Sequence, residues 1–143
     1  MTLVVATGTF DLLHPGHVLY LERSKALGDE LVVIVARDVN VRHKAKPILP
    51  EEQRRRMIES LKPVDRAILG EVGDIFRTIE DLRPDIITLG FDQHFDPLRL
   101  EHDLFRRGLH PRIVRIEEQE PCELCSSRRM VNKILERFRG RRI

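Results

Sequence analysis

Two histidines, His14 and His17, stand three positions apart with Pro15 and Gly16 between them, soon after Gly8 closes the apolar run Leu3-Val4-Val5-Ala6. A glycine directly after a buried strand lets the backbone turn sharply. It leaves the N–H groups of Thr9 and Phe10 open toward an anion. Pro15 suits a first helical position, so a helix starts there and adds its own free N–H groups and dipole to the same spot. His14 and His17 are then one helical turn apart, and Gly16 admits close approach to both. The pattern predicts a phosphate cradle of Thr9, Phe10, His14, Gly16 and His17, with the two imidazoles stabilising charge that develops during a transfer. For Asp11 two readings stay open: orienting the turn or a metal, or accepting nearby backbone N–H bonds.

Four cations, Arg37, Arg42, Lys44 and Lys46, crowd the polar stretch between Ala36 and Pro47, which follows a second apolar run. Such a stretch sits at the carboxyl edge of a parallel sheet, where an acceptor lies beside a nucleotide. Arg54, Arg55 and Arg56 follow Glu51 and Glu52 on a predicted helix. Neighbouring helical positions point about 100° apart, so one or two of these arginines at most face the same site. Ser126 and Ser127 open the last predicted helix as N-cap candidates.

These residues need a scaffold, and the hydrophobic pattern supplies one. Short apolar runs at 3–6, 31–36, 67–69, 85–90 and 112–116 read as buried strands. Helices are expected at Pro15–Leu27, with Gly28 as C-cap, and at Pro50–Leu61, Asp74–Leu82, Leu98–Arg107 and Ser126–Phe138. Ile75, Phe76, Ile79 and Leu82 form the expected inner face of the third helix, and Met130, Ile134, Leu135 and Phe138 that of the last. The alternation predicts the α/β class: a Rossmann-like, doubly wound, five-stranded parallel sheet in one domain over 1–143, with strand four beside strand one.

Composition narrows the function. A formal charge of +2 with 34% charged residues gives no polybasic surface, and few aromatics give no stacking platform, so nucleic acid is not an expected partner. No apolar stretch approaches the roughly 20 residues that span a bilayer, and the expectation is a cytoplasmic protein without a membrane partner. The two cysteines, Cys122 and Cys125, are too few for a disulfide framework or a four-ligand zinc site. A reversible thiol role and a place at the rim of the substrate site remain as readings of the pair. No protein metal site is expected.

The string Gly8-Thr9-Phe10-Asp11 followed by His14-Pro15-Gly16-His17 resembles the GTFD and HxGH signatures of the nucleotidyltransferase superfamily that includes the cytidylyltransferases. The resemblance extends over nearly the whole chain and is nearest to the archaeal FAD synthase type. It rests on Val35-Ala36-Arg37-Asp38, Lys46 to Arg55, Leu61 to Asp65, Leu89 to Gln93, and the late cysteines followed by Ser126-Ser127. It implies attack of an acceptor phosphate on the α-phosphate of a nucleoside triphosphate, with ATP and FMN as substrates. A divalent cation, magnesium by expectation, would be carried on the triphosphate, and small relatives of this kind imply a homodimer. The implied roles are phosphate contact for His14, His17, Lys44 or Lys46, acceptor contact for Arg37, Asp38 and Arg54 or Arg55, and nucleotide contact for Thr9, Phe10, Gly16, Asp92, Ser126 and Ser127. Arg128-Arg129-Met130 departs from the family's final serine/threonine motif. Glycerol-3-phosphate cytidylyltransferase, and a noncatalytic nucleotide-binding regulator on the same fold, are the competing readings.

Overall fold

Each expected apolar run forms a strand in the computed structural model, which describes residues 1–42 and 44–141. The strands are β1 Leu3–Gly8, β2 Glu30–Val35, β3 Arg66–Leu69, β4 Ile86–Gly90 and β5 Arg112–Ile116. They make one parallel sheet in the order β3-β2-β1-β4-β5. Helices α1 Pro15–Lys25, α2 Glu51–Glu59, α3 Ile75–Leu82, α4 Pro97–Phe105 and α5 Ser127–Arg137 connect and cover it, with a 3-10 turn at Asp38–Asn40.

The sheet is buried on both faces, which is why its central strands read as continuous apolar runs. On one face Val4, Ala6, Leu31, Val33 and Val35 pack with Leu21 of α1 and Ile58 of α2. On the other, Val5, Val32, Ile34, Ile87 and Leu89 pack with Ile79 of α3 and with Leu100 and Leu104 of α4. Strand order reverses between β1 and β4, so the crevice at their carboxyl ends is where this architecture receives ligands.

Three local expectations change. Helix α1 stops at Lys25 with Ala26 as a right-handed C-cap, so Gly28 is not its cap. Gly28 is glycine because the chain crosses β1 there: a Cβ would lie 2.6 Å from Val4 Cγ2 and 2.8 Å from the Thr2 carbonyl oxygen. On α3, Ile75 is 40% exposed and Thr78 takes a buried place instead. On α5, Ile134 and Leu135 are 47% and 63% exposed, so Met130 and Phe138 alone of the expected face are partly covered.

The Thr2 carbonyl is fixed by hydrogen bonds from the Asp29 and Glu30 N–H groups at 2.9 and 3.2 Å and cannot recoil. Gly28→Ala is therefore expected to lower stability by about 1–3 kcal/mol, measured by denaturant unfolding.

Candidate active site

The turn after β1 is shaped by Phe10. Its backbone is left-handed, φ 54°, and its ring is 4% exposed, turned back into the core beneath the turn. A Cβ on Gly8 would meet that ring at 2.6 Å, so only glycine lets strand and ring coexist. The following residues then reach His14, the extended N-cap of α1.

His14 and His17 form a reciprocal cap. The Gly16 N–H donates to His14 Nδ1 at 3.1 Å, and the His14 N–H donates to His17 Nδ1 at 3.3 Å. With both Nδ1 atoms accepting, each neutral ring carries its proton on Nε2. The rings stack with centroids 3.8 Å apart. Burial lowers the pKa of His17 to about 3, with His14 and the Lys44 charge adding to the shift. Burial also lowers that of His14, opposed by the Asp92 carboxylate. The site thus presents two neutral N–H donors rather than two cations.

Helix α5 converges on the same place. Ser126 caps it by accepting from the Arg129 N–H, and Ser127 Oγ donates to the Leu12 carbonyl at 2.9 Å, fixing the helix to the phosphate turn. A Cβ on Gly16 would lie 3.9 Å from Cys125 Cβ, so the starts of α1 and α5 adjoin. Two helix N-termini beside two imidazole donors and open turn N–H groups make an anion site. Cys122 and Cys125, just before α5, are joined by a disulfide. It closes a short local loop and ties no separate elements together.

On the other side of the turn, Asp11 accepts from the Ile48 and Leu49 N–H groups at 2.8 and 2.9 Å, clamping the end of the cationic loop. Its bonds are to backbone N–H groups, as one reading held, but to distant ones. Lys46 Nζ donates to the Asp38 carbonyl at 2.7 Å, while Lys44 is exposed on the loop and its charge reaches His17. Asp92 is exposed at the end of β4, near enough to His14 to act on its charge.

The arginines expected at the acceptor are engaged within the protein. Arg54 is 1% exposed: Nε donates to the Leu49 carbonyl, Nη1 to those of Thr9 and Ala36, and Nη2 to Asp38 Oδ1 at 2.6 Å. Its guanidinium ties together the loops that carry these partners. Arg55 pairs with Glu52 and Glu59 along α2 and donates to the Ala67 carbonyl, away from the phosphate turn. Arg37 donates to the Gly70 carbonyl and pairs with Glu51, whose other oxygen accepts from the Asp38 N–H. Sequence reasoning missed Arg115, which donates to the carbonyls of Gly90, Gln93 and Phe95 and so shapes the loop that carries Asp92. The one hint was an arginine near the end of a short strand. Among the described residues no group of three His, Cys, Asp or Glu side chains is arranged to hold a metal ion, and no helix is long and apolar enough to cross a membrane.

A cytidylyltransferase-like family model matches residues 5–133, a span that contains the phosphate turn, the cationic loop and the start of α5. The chain belongs to the cytidylyltransferase-like family. Within reach of this family placement are curated relatives named FAD synthase. One from Methanothrix thermoacetophila is 66% identical over 136 residues, covering 95% of both chains. One from Archaeoglobus profundus is 59% identical over 141 residues, covering 99% of this chain and 91% of that one. One from Archaeoglobus fulgidus is 56% identical, covering 96% and 100%. Among solved structures, a protein from Thermoplasma volcanium named for lipopolysaccharide core biosynthesis superposes with a TM-score of 0.81 at 50% identity, covering 84% of this chain and 99% of that one. This member of the cytidylyltransferase-like family is thus a transferase.

Two outcomes follow from the geometry. Arg54→Met keeps the volume but strands three carbonyls and Asp38, and is expected to cost roughly 3–5 kcal/mol in denaturant unfolding. The histidines give a pH signature. Above the ordinary value of 6.5 neither the folded nor the unfolded chain holds a proton on His17; below it the unfolded chain takes one up, while folded His17 does so only near pH 3. Stability is therefore expected to fall as pH falls through that window. In His17→Gln, the difference between unfolding midpoints at about pH 7.5 and about pH 5 should shrink.

Proposed function

We propose that the chain is an FAD synthase, transferring AMP from ATP to FMN. A phosphate oxygen of FMN attacks the α-phosphorus in line; the new O–P bond forms as the bond from the α-phosphorus to its bridging oxygen breaks, and pyrophosphate leaves. The FMN phosphate is already ionised at neutral pH, so no strong base is needed, and positioning with charge stabilisation carries the reaction. The observation that supports this most is 66% identity with an FAD synthase over 95% of both chains, the phosphate turn included.

In this reading the N–H groups of Thr9 and Phe10, Gly16 at the start of α1, and Ser126 and Ser127 at the start of α5 receive the triphosphate. His14 and His17 donate through Nε2 to the transferring and departing phosphates. Lys44 lies over them, and Lys46 braces the loop through Asp38. Asp92 meets the nucleoside. Arg37 and Asp38 shape the acceptor edge, and Cys122 and Cys125 form the rim beside α1. A divalent cation, magnesium, enters on the triphosphate and neutralises its charge. The enzyme works in the cytoplasm as a homodimer on small molecules, without nucleic acid.

The assay offers purified protein ATP with FMN, and separately CTP with glycerol 3-phosphate, each with magnesium, manganese or cobalt ions. FAD and pyrophosphate are expected from the first pair and no pyrophosphate from the second. Turnover of the second pair alone would transfer the assignment to glycerol-3-phosphate cytidylyltransferase. Tight nucleotide binding with no pyrophosphate from any acceptor would favour a regulator.

A further inference from the structure

The loop 91–95, which carries Asp92 from the end of β4 toward α4, has no helix or strand of its own and depends on side chains for its shape. Arg115 reaches it from β5, where the register sets it beside Leu89. Its Nη1 donates to the Gly90 carbonyl at 2.7 Å and to the Gln93 carbonyl at 3.1 Å, and its Nη2 donates to the Phe95 carbonyl. The Gln93 N–H closes on the same Gly90 carbonyl at 3.2 Å. Carbonyls at the base, middle and end of the loop thus turn toward one planar group. Oxygens so gathered repel one another unless donors in fixed directions stand between them, and a guanidinium is the side chain that supplies several.

The second hold comes from within the loop. The Gln93 carboxamide oxygen accepts from the Gly90 N–H at 2.6 Å, while its nitrogen donates to the Thr7 carbonyl at 3.1 Å and to Thr7 Oγ1 at 3.3 Å. Thr7 is a firm anchor: it is paired with Ile34 of β2, and the Tyr20 hydroxyl accepts from its N–H at 3.3 Å and donates to the Thr88 carbonyl at 2.9 Å. The loop is therefore fixed to β5 on one side and to β1 on the other. Between these holds the Asp92 side chain turns back over the end of β4: a Cβ on Gly90 would lie 3.6 Å from Asp92 Oδ1. There the carboxylate is exposed, takes no hydrogen bond from the described residues, and acts on the charge of His14.

We propose that Arg115 and Gln93 are positioning residues for the nucleoside: they hold the loop 91–95 from both sides and so fix where the Asp92 carboxylate stands at the mouth of the β1–β4 crevice. Neither side chain needs to touch the nucleotide. On an unheld loop of this length the carboxylate would sample many directions, and binding would have to order it, which weakens affinity. With both holds in place, that ordering is complete before substrate arrives. Arg115 has a counterpart on the other side of β1, where Arg54 gathers the carbonyls of Thr9, Ala36 and Leu49. One arginine fixes the edge next to the cationic loop and the other the edge next to Asp92.

This role rests on the reading in which Asp92 meets the nucleoside, and its first measurements need no acceptor. In Arg115→Met the Kd for ATP, measured without FMN, is expected to rise at least about tenfold, while kcat at saturating ATP and FMN changes less than about threefold, the pattern of lost uniform binding. Asp92→Ala is expected to weaken ATP to a similar extent, and adding Arg115→Met to it weakens ATP by less than about a further twofold, because the arginine acts through the carboxylate. Amide exchange at Gln93 in the nucleotide-free protein is expected to be at least about tenfold faster in Arg115→Met. Unchanged ATP affinity in the folded variant, losses that multiply in full in the double variant, unchanged exchange at Gln93, or a loss carried by kcat alone overturns the proposal. Should Arg115→Met fail to fold, Gln93→Met, with Gly90 as the reporting amide, decides by the same cycle with Asp92→Ala. Turnover of CTP with glycerol 3-phosphate in place of ATP with FMN defeats the FAD synthase reading alone, and the cycle is then read with CTP.

Discussion

The guanidinium of Arg54 is the constraint on which the site rests. Three backbone segments, the turn after β1, the end of β2 and the chain just before α2, each present a carbonyl to it, at Thr9, Ala36 and Leu49. Carbonyl oxygens cluster only where something positive holds them, and a planar group with fixed donors fixes their relative directions as well. Asp38 balances the charge from the more exposed side. Asp11 repeats the arrangement with opposite sign, collecting the Ile48 and Leu49 N–H groups. The two charged side chains thus lock the end of the cationic loop to the turn after β1.

The electrostatics divide labour between fixed and mobile donors. The fixed donors are peptide N–H groups at the starts of α1 and α5 and the Nε2 protons of two neutral imidazoles. Donors of this kind suit an anion without requiring counter-ions to be stripped from a buried cation. The net positive charge is on the exposed Lys44 and its neighbours, where water solvates it before substrate arrives. Such a site is charged mainly at its lip and polarised at its floor.

The fold was legible because each strand is a short apolar run between glycine, proline or charged residues, and doubly covered strands leave no periodic ambiguity. The turn into α1 was legible for a similar reason: its glycines, proline and histidines are local signals. What escaped were interactions whose partners are distant in sequence. Arg54 and Arg55 are adjacent and chemically identical, and only the packing of α2 places one in the interior and the other along the surface. Tyr20 is the chain's one tyrosine, yet its sequence neighbours mark it only as part of a helix. Ile134 and Leu135 have the right spacing for an inner face, but α5 is attached chiefly at its start, so periodicity overstated its burial.

Phe10 carries a consequence for how the molecule is assembled. A bulky residue held in left-handed backbone is costly, by roughly 1–3 kcal/mol, and persists only where its surroundings enforce it. Here the enforcement is the pocket beneath the turn, where Phe10 meets Tyr20 and His17 and belongs to the same core as Leu21, Val33 and Ile58. That core draws on β1, β2, α1 and α2 and also on Ala67 of β3 and Ile86 of β4, elements spread well beyond the turn's own neighbours in sequence. The phosphate turn therefore has little reason to take its final shape in a partly folded chain. The turn's shape arrives with completion of the core, so any ligand that fits it would select the finished molecule and stabilise it by mass action over every incomplete form.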